Sequence, residues 1–108
     1  MTFEQVWNEY IIPIEGKEIF LAKGGINKIL KVTNKGITRI TSRGNVNDIN
    51  RDVIKYAFDR VKKDGYVSRK NINQKFPNRL SSGVIAILKE IPFIELTSEP
   101  ELGLKLII

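Results

Sequence analysis

The chain has 108 residues and a mass of 12.3 kDa, is 42% apolar and 28% charged, and so suits one domain that buries a core without a disulfide or metal staple. With no cysteine and no histidine, it lacks disulfides, thiolate nucleophiles, Cys/His zinc sites and every Ser-His or Cys-His catalytic arrangement. A net charge of +6 predicts an anionic partner, while the absence of any run near the ~18 apolar residues of a membrane span, and an acidic, amphipathic start (MTFEQVWNEY), predict a cytoplasmic protein with no membrane partner.

From the N-terminus, Phe3, Val6, Trp7, Tyr10 and Ile11 fall on the i, i+3, i+4, i+7, i+8 stripe of an amphipathic helix over residues 2–12, capped by Thr2 and ended by Pro13. The stripe is assigned to the core, where a small domain needs its Trp and Phe. Gly16 releases the chain into a strand-like run over 18–22, before the Gly24-Gly25 break. Two β-branched runs, 28–33 and 37–42, are joined by Asn34-Lys35-Gly36 and predict a hairpin. Lys28, Lys31, Lys35, Arg39 and Arg43 make this ribbon basic, although strict alternation sends Lys28 and Lys31 to opposite faces.

Residues 45–50 read as a polar lead into a helix over 51–63. Val53, Ile54, Ala57, Phe58 and Val61 form its apolar face, Asn50 its N-cap, and Gly65 its left-handed C-terminal residue. Ile49 and Ile54 are placed to staple its start. Ser68 caps a short helix over 69–75 with Ile72 and Phe76 turned inward, and Pro77 stops it. After a turn at Asn78-Arg79-Leu80, Ser81 or Ser82 caps a third helix that ends near Glu90. Strands follow over 93–97 and 102–108, the second with Leu102, Leu104, Leu106 and Ile108 on one face. No internal repeat, low-complexity tract or linker is evident in the sequence.

Charge is segregated along the chain. Residues 1–22 carry one basic against four acidic side chains, residues 23–80 carry 15 against 4, and residues 81–108 carry two against four. A basic middle between acidic ends suits one strongly positive face, the footprint of a nucleic-acid partner, the alternative being a solubilising lysine-rich surface; the acidic termini are open to a protein partner.

From residue 51 onward the order is long helix, short helix, turn, short helix, two-stranded hairpin. In this order of elements the C-terminal 55 to 60 residues resemble the winged helix-turn-helix family of DNA-binding domains. The segment Tyr66-Val67-Ser68-Arg69-Lys70-Asn71-Ile72-Asn73-Gln74-Lys75-Phe76 resembles the hand-over from a short strand to the first helix of that motif. The resemblance implies that residues 82–90 hold the recognition-helix position and residues 93–108 the wing. It places an α+β single domain over 1–108, in which 1–47 form a helix and β-hairpin extension and 48–108 a winged-helix-like three-helix core.

The residues expected at the interface are Lys31, Lys35, Arg39, Arg43, Arg69, Lys70, Lys75, Asn78, Arg79, Ser81 and Ser82. Arg69, Lys70 and Lys75 carry mobile charges suited to phosphates, or else form a solvated helix face. Asn78, Arg79, Ser81 and Ser82 cluster where free helix N–H groups favour an anion; Arg79 suits guanine O6 and N7 and Asn78 adenine, the alternative being serine caps and an Arg79 ion pair. Tyr66 is assigned to the core. Two features oppose a groove reader: the third helix is apolar from Val84 to Leu88, and the wing carries Glu95, Glu99 and Glu101.

Catalysis is the weakest class. Gly24-Gly25 lacks the pattern of a phosphate-cradling loop, and Glu15-Gly16-Lys17 with Glu18 is only a common fragment of a nuclease pattern. The expectation is a non-catalytic protein without cofactor or metal that binds nucleic acid, in the first place double-stranded DNA. Its rival is a small adaptor or inhibitor, of the phage or mobile-element kind, acting on a larger nucleic-acid-processing machine. Cations gathered on one face favour the first; scattered cations favour the second.

Overall fold

Alternating apolar and polar residues lay the first half of the chain out as a four-stranded antiparallel sheet in a computed structural model that describes residues 1–76 and 80–107. Its strands, β1 (Glu18–Phe20), β2 (Ile26–Thr33), β3 (Gly36–Ile40) and β4 (Val46–Asn50), lie in chain order. Ile19, Asn27, Ile29, Ile37, Arg39 and Ile49 make up the buried inner face. A bulge between Ile29 and Lys31 brings Lys31 opposite Thr38, on the outer face. The polar lead expected at 45–50 is instead β4, because Val46 and Asn47 find ladder partners in Ile40 and Arg39 that outweigh the poor strand propensity of Asn and Asp.

The two hairpins of this sheet are copies of one another. Glu18, Ile19 and Phe20 pair with Lys28, Asn27 and Ile26; twenty residues on, Thr38, Arg39 and Ile40 pair with Asp48, Asn47 and Val46. The loops match as well: Leu21 N–H donates to Gly25 O and Gly24 N–H to Leu21 O, as Thr41 N–H donates to Asn45 O and Gly44 N–H to Thr41 O. The two hairpins therefore share one geometry, in which Gly16/Gly36, Gly24/Gly44, Asn27/Asn47 and Ile29/Ile49 are identical between equivalent positions.

The N-terminal segment is less regular than a single helix. α1 (Phe3–Val6) has the expected Thr2 cap, reinforced by Gln5 in a capping box, and then widens into a π turn over Trp7–Ile11 and tightens to a 3-10 turn over Ile12–Ile14 that contains Pro13. The irregular turns keep Trp7, Ile11 and Ile14 all buried.

α2 (Arg51–Asp64) runs from the expected Asn50 cap to Gly65 at φ +79°. β5 (Tyr66–Ser68) leads into α3 (Arg69–Lys75), where Ser68 and Asn71 form a reciprocal capping box. α4 (Ser81–Leu88) starts at Leu80 with no side-chain cap, so neither Ser81 nor Ser82 plays the expected part: Ser81 Oγ instead accepts from Arg69 Nε at 3.3 Å. β6 (Ile94–Thr97) and β7 (Gly103–Leu106) complete a second antiparallel sheet in the order β5–β7–β6. Tyr66 is half-buried, and its hydroxyl donates to Glu101 O. The division expected at 47/48 falls inside β4, so both halves of the chain share the first sheet.

α4 is the centre of the molecule. Ser81, Gly83 and every residue from Val84 to Leu88 are buried, because the first sheet covers the side of α4 that faces away from α2, α3 and β7. An apolar helix with no polar face has nowhere else to go.

Candidate nucleic-acid interface

Three of the expected cations, Arg43, Arg69 and Lys70, lie with Lys23 at the end of the first sheet where the β1–β2 and β3–β4 loops emerge. In an antiparallel sheet the Leu21–Gly25 and Thr41–Asn45 loops emerge at the same end, two strand spacings or about 10 Å apart. They are neighbours, since a Cβ on Gly25 would lie 3.1 Å from Ser42 Oγ. Lys23 and Arg43 occupy equivalent positions in the two loops, both exposed, each followed by a glycine at positive φ, Gly24 at +87° and Gly44 at +84°. Only glycine takes that conformation without strain, so the loops hold their cations forward on a tight turn.

The first of these loops packs beside the start of α3. Lys23, Arg69, Lys70, Asn73, Gln74, Glu101 and Leu102 line an open cleft of ≈ 420 Å³, so one carboxylate stands among its three cations. A smaller adjoining pocket of ≈ 220 Å³ adds Ser82 and the backbone of Ala22 and Gly24. Among the described residues, ion pairs engage Arg51, Lys55, Arg60, Lys89 and Lys105, whereas Lys23, Arg43, Arg69 and Lys70 have no carboxylate partner. Lys23, Arg69 and Lys70 outnumber Glu101 in this cleft, and with Arg43 on the neighbouring loop they create a local positive potential that attracts anions.

The expected interface residues divide into groups. Arg43, Arg69, Lys70 and Ser82 belong to this end. Lys31 lies on the outer sheet face, Lys35 at the β2–β3 turn at the opposite end of the sheet, and Lys75 at the far end of α3. Asn78 and Arg79 lie outside the described residues.

Arg39 and Ser81 are corrected. Arg39 is 5% exposed on the inner sheet face, donating from Nε to Asn47 Oδ1 at 2.9 Å and from Nη1 to Asn27 Oδ1 at 2.5 Å. Burial lowers its pKa from the usual guanidinium range. These acceptors are equivalent positions of the two hairpins, so the guanidinium bridges the copies. Ser81 is buried under Arg69. Neither side chain is open to a ligand.

Lys23 is the residue that the sequence reading passed over. The available signal was the match between the two loops: Lys23-Gly24 corresponds to Arg43-Gly44, and Arg43 was among the expected cations. Glu15 of the nuclease-like fragment has a structural partner, its Oε1 accepting from Val32 N–H at 2.8 Å. Among the described residues no cluster of three acidic side chains is arranged to hold a metal ion. Comparison with protein-family models, with curated proteins and with solved structures returned no match for the chain.

Proposed function

We propose that this protein is a non-catalytic nucleic-acid-binding module that grips phosphates with Lys23, Arg43, Arg69 and Lys70. The observation that carries the reading is the set of four unpaired cations at one end of the molecule, two of them presented by duplicated loops. Phosphate contact needs only positive charge within reach, and such contacts dominate affinity. The winged helix-turn-helix resemblance supports the same reading, since α2–β5–α3–α4–β6–β7 keeps its order of elements. The departure is that α4 lies beneath the first sheet, so base reading by a helix in the major groove is not part of the proposal. Of the wing carboxylates expected to oppose phosphate, Glu95 is paired with Lys105, whereas Glu101 lines the cleft and opposes the phosphate reading there.

The test is fluorescence anisotropy with labelled oligonucleotides at several salt concentrations, comparing wild type with the Lys23→Ala/Arg43→Ala/Lys70→Ala variant, whose three positions are all exposed. The expected log affinity falls linearly with log salt, with a slope smaller in the variant by roughly 0.7 to 0.9 for each phosphate contact removed. No binding at low salt, or an unchanged slope, overturns the proposal. The scatter of the other expected cations favours the adaptor reading, since Lys31, Lys35 and Lys75 stand apart from the loop end and Arg39 is buried; pull-down of a protein partner dependent on Lys35 and Lys75 would support it.

A further inference from the structure

Among the described residues no layer covers the outer face of the first sheet, and its apolar residues are not scattered. Phe20 and Ile26 face each other immediately below the first loop; Ile40 and Val46, their equivalents in the second copy, face each other immediately below the second. Phe20 is 65% exposed and Val46 59%, while Ile26 and Ile40 are half-buried. Leu30, 41% exposed, lies further along the strands, and the band is bordered on the same side by Lys28 and Lys31 together with Glu18 and Asp48. The molecule thus presents an apolar strip with an exposed phenyl ring directly beneath two cationic loop tips.

Taking the phosphate reading as its basis, we infer that the sheet face receives unpaired bases and that the ligand is single-stranded nucleic acid. A single strand is itself amphipathic in this sense, with an anionic backbone along one edge and apolar base faces along the other. Its backbone matches Lys23 and Arg43, and its bases match the strip beneath them. The phenyl ring of Phe20 offers a stacking surface, which tolerates any base because every base has a π-face. A duplex keeps its bases stacked on one another and leaves this strip unused. The burial of α4 points the same way, since it removes the helix by which a related architecture would read a duplex.

The experiment compares a labelled mixed-sequence single strand with a duplex of the same length, using wild type, Phe20→Ala, Phe20→Trp and the Lys23→Ala/Arg43→Ala/Lys70→Ala variant, called the loop variant although Lys70 lies on α3. The expected result is tighter binding of the single strand, a loss of roughly 5- to 150-fold in Phe20→Ala, and retention in Phe20→Trp, whose added indole emission is quenched on binding. The salt slope of Phe20→Ala should equal that of wild type, while the loop variant lowers the slope. If Phe20→Ala binds like wild type, or the duplex is preferred, the inference fails and the phosphate reading stands, provided the loop variant still lowers the slope. Failure to bind any oligonucleotide overturns both. Sedimentation with anionic phospholipid vesicles in the absence of oligonucleotide binding also overturns both, and assigns the strip to a membrane surface.

Discussion

Arg39 joins the two hairpin copies through a charge taken out of water. Desolvating a guanidinium costs several kcal/mol, and here only neutral amide oxygens, with no carboxylate, offset it among the described residues. Removing it is nevertheless unfavourable, because Asn27 Oδ1 and Asn47 Oδ1 would then be left without a donor, and Asn27 Nδ2 is already buried without an acceptor. Arg39→Ala is expected to destabilise by about 2–4 kcal/mol in urea denaturation, through the lost bonds and the cavity. Arg39→Lys should recover little, since an ammonium cannot hold two acceptors in the fork geometry. Neither change should alter the salt dependence of nucleic-acid binding, which separates Arg39 from Arg43, two residues that look alike in the sequence.

Helix caps were legible in local sequence wherever a side chain had only to reach its own next turn. Thr2, Asn50 and Ser68 cap as their positions suggest, and Ser68→Ala should cost about 1 kcal/mol as the α3 capping box is lost. At α4 the same reasoning misassigned Ser81, whose hydroxyl serves the Arg69 side chain of another helix. Gly83 shows the same limit. An alanine in a helix interior is ordinarily better than glycine by about 1 kcal/mol, but a Cβ here would collide with the Arg39 guanidinium and lie 2.9 Å from Ile49 Cδ1. Because Arg39 is pinned on both sides it cannot move away cheaply, and Gly83→Ala is expected to destabilise by roughly 1–3 kcal/mol. The cost should shrink in an Arg39→Ala background, a non-additivity that a double-mutant cycle measures directly.

At the scale of the molecule, the expected interface cations within the described residues separate into a loop-end cluster, an outer-face residue (Lys31), an opposite-end residue (Lys35), a residue at the far end of α3 (Lys75) and a buried bridge (Arg39). The basic middle of the chain does not fold into one uniform positive face. The first sheet also decides the fate of the C-terminal half. A fragment beginning at Arg51 keeps α2 to β7 but loses Ile19, Ile29, Ile37 and Ile49 from the core, and with them the sheet that packs on α4. Such a fragment is expected to show no cooperative melt by circular dichroism and to aggregate; a sharp transition would mean that the sheet is dispensable for folding.

What the sequence determined by itself is what local chemistry controls. The helical stripe of α2, the caps at Asn50 and Ser68, the left-handed Gly65 and the β2–β3 turn each depend on residues a few places apart, and all were readable. So was the α+β class. The duplication of the hairpins was readable in principle, but its signal lies in strand register and loop hydrogen bonding more than in identity, and side-chain divergence hid it. Only the tertiary structure decided which cations remain outside. Arg39 alternates onto the inner face, Lys23 and Arg43 are carried to adjacent loop tips by antiparallel pairing, and α4 disappears beneath a sheet formed by residues far away in the chain. Burial is a property of what packs against a residue, and no local pattern around Arg39, Ser81 or Lys23 contains that partner.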